Sequence, residues 1–151
     1  DAPVWGRFWE LAGVDAAQLD VLARARHELK RQLMPFVADI SFGLIHADVV
    51  RENVLCDGGK ISFIDFDDSG FGFRIYDLAT CLVKSRFEPR YAQSIRSFTR
   101  AELQSLPLLI AVRALSLVGW MEQRITDPGA PARRDMFLGE AMTELRGLSL
   151  A

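Results

Sequence analysis

Between residues 15 and 36, Leu19, Leu22, Leu29, Leu33 and Phe36 recur at mostly three- and four-residue steps, the spacing that lines one face of a helix. Asp15 stands before the run as a candidate N-cap. Ahead of it, Trp5, Phe8 and Trp9 cluster around Gly6, as expected of a packed lead-in segment. The pattern then changes. Gly43-Leu44-Ile45 is a short apolar run ending at His46, and two further runs, Val54-Leu55-Cys56 and Ile61-Ser62-Phe63-Ile64, flank Asp57-Gly58-Gly59. An Asp-Gly pair between β-rich runs predicts a hairpin, because its turn needs residues that tolerate positive φ. From Arg74 onward the pattern is helical. Ile75, Leu78, Ala79, Leu82 and Val83 form one stripe, and Tyr91, Ile95 and Phe98 mark another. Pro107 suits the first turn of a long helix that reaches about Ile125 and stops at Asp127-Pro128-Gly129. Phe137, Ala141, Leu145 and Leu148 define the last helix. The predicted class is α+β, mostly helical, with a small β-hairpin element carrying polar loops.

Composition narrows this little. Half the 151 residues are hydrophobic and a quarter charged, a globular balance. The net charge of −2 gives no general attraction to nucleic acid or anionic lipid. The densest basic group, Arg24, Arg26, Lys30 and Arg31, is expected on a solvated helix face. Leu106 to Met121 is interrupted by Pro107 and Arg113 and is expected to be a buried helix, not a membrane span. Cys56 and Cys81 have neither disulfide-framework nor zinc spacing; both are expected as buried thiols in a reducing, cytoplasmic compartment. The chain opens at Asp1, with no start methionine or signal pattern, and residues 1–151 are expected to form a single partial domain of a longer polypeptide.

The chemistry concentrates in His46-Ala47-Asp48-Val49-Val50-Arg51-Glu52-Asn53 and in Asp65 at the end of Phe63-Ile64-Asp65. Asp48 and Asn53 flank a loop leading into the hairpin, and Asp65 terminates its second strand. An amide oxygen and carboxylates gathered at one end of a hairpin suit a hard divalent cation such as Mg²⁺.

The motif His46-x-Asp48-x-x-x-x-Asn53, followed by Ile64-Asp65-Phe66-Asp67-Asp68, Gly70-Phe71-Gly72 and Tyr76-Asp77-Leu78-Ala79, resembles the aminoglycoside phosphotransferase and choline kinase branch of the protein-kinase-like fold. The Trp5-Gly6-Arg7-Phe8 lead-in is similar to bacterial members. The signature spans residues 44 to 80. The resemblance implies the C-terminal catalytic lobe of an ATP- and Mg²⁺-dependent kinase acting on a small-molecule hydroxyl. It implies Asp48 as the catalytic residue that accepts or orients the proton of the attacking hydroxyl. Asn53 and Asp65 would be the metal ligands, His46 a structural brace, and Asp77 the tie between catalytic loop and following helix. Many members carry a basic or His residue where Val50 stands; Arg51 is the candidate for the missing positive charge toward the phosphates. Members commonly have Gly at the place of Ala47.

The small β-lobe that grips phosphates in this fold has no counterpart before residue 15, and Lys30 and Lys60 are predicted on a helix and in a turn. The chain alone is therefore expected to have little kinase activity, and an apolar face freed by the absent lobe is expected to favour self-association. Two other readings stay open. Asp65-Phe66-Asp67 after a strand also resembles the haloacid dehalogenase nucleophile motif, and a kinase-like scaffold without catalysis is the second. The acceptor is not specified: Glu102, Glu122, Asp127, Asp135, Glu140 and Glu144 are spread along the helices rather than clustered for a polyamine. Amino alcohols, homoserine-like amino acids and sugars are as compatible as an aminoglycoside.

Overall fold

The computed structural model of the chain describes residues 6–85 and 98–151. The predicted helix through Tyr91 and Ile95 lies outside them, as does Trp5. The chain divides into two compact units, one formed by Asp1–Pro35 with Ala111–Ala151, the other by Phe36–Ile110.

In the first unit, helix α1 covers Ala16–Leu33, and Asp15 caps it by accepting a 2.9 Å hydrogen bond from the Gln18 amide. Leu22, Ala25 and Leu29 turn inward, while Arg24, Arg26, Lys30 and Arg31 are exposed, as the pattern predicts. Phe8 is buried and Trp9 half-buried, with the Arg26 guanidinium over the Trp9 ring. Helix α3, Arg100–Glu122, contributes Ala111, Ala114, Leu115, Val118 and Met121 to this core. A Cβ at Gly119 would lie 2.3 Å from the Gly6 carbonyl carbon. Only glycine lets the lead-in backbone rest directly on α3. Helix α4, Ala130–Gly147, buries Ala130, Arg134, Leu138, Ala141 and Leu145. Its inward stripe thus runs through Leu138 rather than the predicted Phe137.

The second unit holds two separate antiparallel pairs. Strands β2 (Val54–Asp57) and β3 (Lys60–Phe63) form the predicted hairpin, closed by Gly58 and Gly59 at φ 52° and 83°. Lys60 is therefore the first strand residue, paired with Asp57, and not part of the turn. The other pair joins β1 (Phe42–Ile45) to β4 (Gly70–Phe73), with Leu44 opposite Phe71. Helix α2 follows at Ile75–Ser85.

Helix α3 corrects one expectation. It begins at Arg100, so Pro107 sits inside it instead of in the first turn. The start is set by a reciprocal cap: Glu102 Oε2 accepts from the Thr99 amide at 2.7 Å, and Thr99 Oγ1 accepts from the Glu102 amide at 3.2 Å. The hydropathy and length of α3 would allow it to cross a membrane, but 61% of its most apolar window is buried inside the molecule, as in a core helix.

Cys56 is exposed, and Cys81 half-buried, contrary to the expectation for both. Cys56 belongs to a hairpin that presents both faces outward: Leu55, Ile61 and Phe63 are exposed as well. Phe42, Leu44 and Phe71 on the other sheet are also exposed.

Candidate active site

The site is built on the segment between β1 and β2. Strand β1 is anchored at its start: Glu102, buried at the head of α3, accepts from the Ser41 amide at 3.1 Å and the Ser41 hydroxyl at 2.5 Å. Burial alone would raise the Glu102 pKa, but the hydrogen bonds from Ser41 and Thr99 outweigh it and hold the group below its ordinary value.

Leaving β1, the chain places successive backbone N–H groups against α2. Asp77, in the first turn of α2, accepts from the His46 amide through Oδ2 at 3.0 Å and from the Ala47 amide through Oδ1 at 2.8 Å. The Val49 amide donates to Thr80 Oγ1 at 3.1 Å. Ala47 adopts φ 64°, the left-handed region where glycine costs least. The Asp77 bond to its amide helps hold this conformation.

His46 is buried, and both ring nitrogens are engaged. Nε2 lies 2.9 Å from the Ile64 carbonyl, so it carries the proton; Nδ1 then accepts from the Asp48 amide at 3.4 Å. The ring stacks obliquely on Phe66, with centroids 4.5 Å apart. A residue so occupied is suited to bracing two segments and ill placed for proton transfer.

Asp48 and Asn53 meet directly. The buried Asn53 amide group donates to the Asp48 backbone carbonyl and to Asp48 Oδ2, each at 3.0 Å. With both amide hydrogens directed at Asp48, Asn53 Oδ1 remains as an acceptor. Arg51 is exposed in the 3-10 turn Arg51–Asn53. Asp65 is joined through its neighbour: the Ile64 amide donates to the Asn53 carbonyl at 3.0 Å, while the Ile64 carbonyl holds His46. Asp65 itself is exposed at φ 63°, a conformation Asp tolerates. Backbone and side-chain bonds thus link His46, Asp48, Asn53, Ile64 and Asp77 into one network, with Asp65 at its edge.

The oxygen donors that the motif offers are the Asn53 amide and the carboxylates of Asp48 and Asp65. An all-oxygen set of this size fits Mg²⁺, which keeps most of its shell for water and phosphate. Among the described residues, no group of three or more His, Cys, Asp or Glu side chains is placed to hold a metal ion, as a closed zinc site would need. Both sheets are antiparallel, at odds with the parallel sheet that the haloacid dehalogenase reading requires.

The sequence reading missed Thr80, Glu102 and strand β4. The Thr99-x-x-Glu102 capping box and the alternation in Gly70-Phe71-Gly72-Phe73 were available signals. Thr80 offered none. Cys81, next to it on α2, has its thiol pKa pushed up by burial and by the charge of Asp77.

A family model described as "Phosphotransferase enzyme family" matches residues 3–109. Homoserine kinase of Chelativorans sp. (strain BNC1) is 36% identical over an alignment 129 residues long that covers 74% of this chain and 39% of that enzyme. Among solved structures, a microcompartment-associated aminopropanol kinase superimposes with a TM-score of 0.77 at 32% identity, over 97% of this chain and 50% of that one. A choline/ethanolamine kinase family protein from Mesorhizobium loti gives 0.72 at 16% identity, over 90% of this chain and 49% of that one, and so speaks for the fold alone. The expected mostly helical, protein-kinase-like architecture with a small antiparallel β element is borne out by these superpositions. This chain spans half or less of each of the three relatives.

Proposed function

The chain belongs to the phosphotransferase enzyme family, and from that premise we propose that it carries the catalytic-lobe half of a kinase that transfers the terminal phosphoryl group of ATP to the hydroxyl of a small amino alcohol. The observation that carries the reading is the fixed Asp48–Asn53 pair: one side-chain amide holds both the backbone carbonyl and one carboxylate oxygen of Asp48. Phosphoryl transfer needs positioning and charge stabilisation more than covalent help from the protein, and a carboxylate held this way meets the first need.

In this mechanism the acceptor hydroxyl approaches Asp48, whose carboxylate orients it and takes its proton as the new P–O bond forms and the bond from the terminal phosphorus to the bridging oxygen breaks, releasing ADP. Asn53 keeps that carboxylate from rotating away. His46 braces the loop against the segment bearing Asp65, and Asp77 fixes the loop to α2. Asn53 Oδ1 and Asp65 would hold Mg²⁺, which supplies neutralising charge to the phosphates when bound. Arg51 is assigned a supporting positive charge facing the transferred group.

The amino-alcohol class rests on the homoserine kinase and aminopropanol kinase relatives and on the spread of Glu102, Glu122, Asp127, Asp135, Glu140 and Glu144 along the sequence. The activity is proposed for the whole protein. Because the chain spans half or less of these relatives, the 151 residues assayed alone should turn over little ATP. A screen of homoserine, aminopropanol, choline, sugars and aminoglycosides with the whole protein, ATP and Mg²⁺ tests the reading. Phosphorylation of one of the first three is expected. Preference for an aminoglycoside would refute the acceptor class, and transfer to none of them would refute the function.

A further inference from the structure

We propose that Thr80 is a positioning residue for the phosphoryl transfer, acting through the backbone of the loop that presents Asp48; the inference rests on the function proposed above. Thr80 is 1% exposed on α2. Its hydroxyl has one hydrogen and two lone pairs. The short contact of 2.8 Å to the Asp77 carbonyl takes the hydrogen. This is the back-bond that threonines inside helices commonly make. The second bond is the unusual one. The same oxygen accepts the Val49 N–H at 3.1 Å, from 31 residues earlier in the chain.

The consequence lies in which amides are held. Asp48 sits between Ala47, whose N–H ends on the Asp77 carboxylate, and Val49, whose N–H ends on the Thr80 hydroxyl. Residues three apart on a helix share a face, so α2 presents Asp77 and Thr80 side by side and clamps the peptide on either side of Asp48. The Asp77 bonds do not reach the peptide after Asp48: its carbonyl is held by Asn53 at 3.0 Å and by the Val50 amide at 2.9 Å, and Thr80 holds its N–H against rotation. That rotation would swing the carboxylate relative to an acceptor hydroxyl and pull the Asp48 carbonyl from Asn53. With Thr80 buried, removing its oxygen would leave the Val49 N–H without that acceptor and with little water to replace it.

The test compares Thr80→Val, which keeps the shape and loses the hydroxyl, with Thr80→Ala and with Thr80→Ser, which keeps the hydroxyl and loses the methyl. In the whole protein, Val or Ala should lower kcat by about 10- to 100-fold, in line with the effect of small misplacements. KM for acceptor and nucleotide should stay within about twofold, and Ser should stay within about threefold of the original kcat. Exchange of the Val49 amide hydrogen should accelerate with Val or Ala and not with Ser. A Ser variant as impaired as Val would overturn the proposal in favour of packing. So would unchanged kcat in Val and Ala, or Val49 exchange unaffected by the loss of the hydroxyl. If the unsubstituted protein transfers no phosphoryl group, the function reading fails and the catalytic role of Thr80 with it. The exchange arm then still decides whether Thr80 holds the loop.

Discussion

Each of the two compact units hides a polar cluster, and the clusters are made of different materials. In the unit of residues 36–110, Asp77 and Thr80 collect backbone amides from residues 46, 47 and 49. In the other unit, Arg134 answers a side-chain charge: its Nη1 lies 3.0 Å from Glu122 Oε2 and 2.8 Å from the Ala12 carbonyl, and Glu122 Oε1 accepts from the Ala12 amide at 2.7 Å. Both clusters are satisfied; among the described residues no buried side-chain nitrogen or oxygen lacks a partner. The first shapes the loop between β1 and β2. The second ties α3 and α4 to the lead-in segment, and any well-packed substitute of similar volume could serve. The amides gathered on Asp77 belong to the loop that carries Asp48, whereas the ion pair of Arg134 and Glu122 joins two helices.

Substitutions can break or sharpen this contrast. The largest stability effect should come from the ion pair. Glu122→Ala leaves Arg134, with 11% of its side chain exposed, only the exposed Asp135 at 2.9 Å and the Ala12 carbonyl as partners, so the cost in denaturant unfolding should fall at the low end for a broken buried pair, about 3 kcal/mol. The paired change Glu122→Leu with Arg134→Met should recover most of that. If the single change costs nothing, the cluster is no more than a surface contact. Asp77→Asn should cost less stability, about 2 kcal/mol, because it confronts one loop amide with another donor. Its effect on activity should be the greater one, and a stability loss without loss of transfer would make this cluster architectural too.

The smallest effect concerns pH. Glu102 titrates below its ordinary value of 4.5 in the folded state, so the folded chain binds fewer protons there than the unfolded chain. Its contribution is fully present above that ordinary value and is lost as pH falls through the lowered one. Glu102→Gln should therefore be less stable than the original at neutral pH, and the two should converge in acid. A gap that stays constant down to pH 3 would show that the charge is not what matters.

The same contrast explains what the sequence revealed. His46, Asp48, Asn53, Asp65 and Asp77 stand out in the sequence as one spaced motif, and hydrogen bonds link His46, Asp48, Asn53 and Asp77, with Asp65 at the edge of that network. Strand β4 alternates, yet two glycines in four residues weaken strand propensity, and it was passed over. Pro107 drew attention as a helix start, although the Thr99-Glu102 box, not the proline, sets the beginning. Cys56 resembles a buried strand residue, but exposure depends on what covers the hairpin, and local pattern does not carry that. Thr80 and Arg134 owe their roles to partners 31 and 122 residues away. No local pattern separates them from ordinary helix residues.

The most direct test of the account is the rate of ATP-dependent transfer to the preferred acceptor by the whole protein carrying Asp48→Asn. The account predicts a fall of about 10²- to 10⁴-fold in kcat, the range for losing a positioned proton acceptor, with unfolding unchanged. Transfer at the original rate by that variant would contradict it.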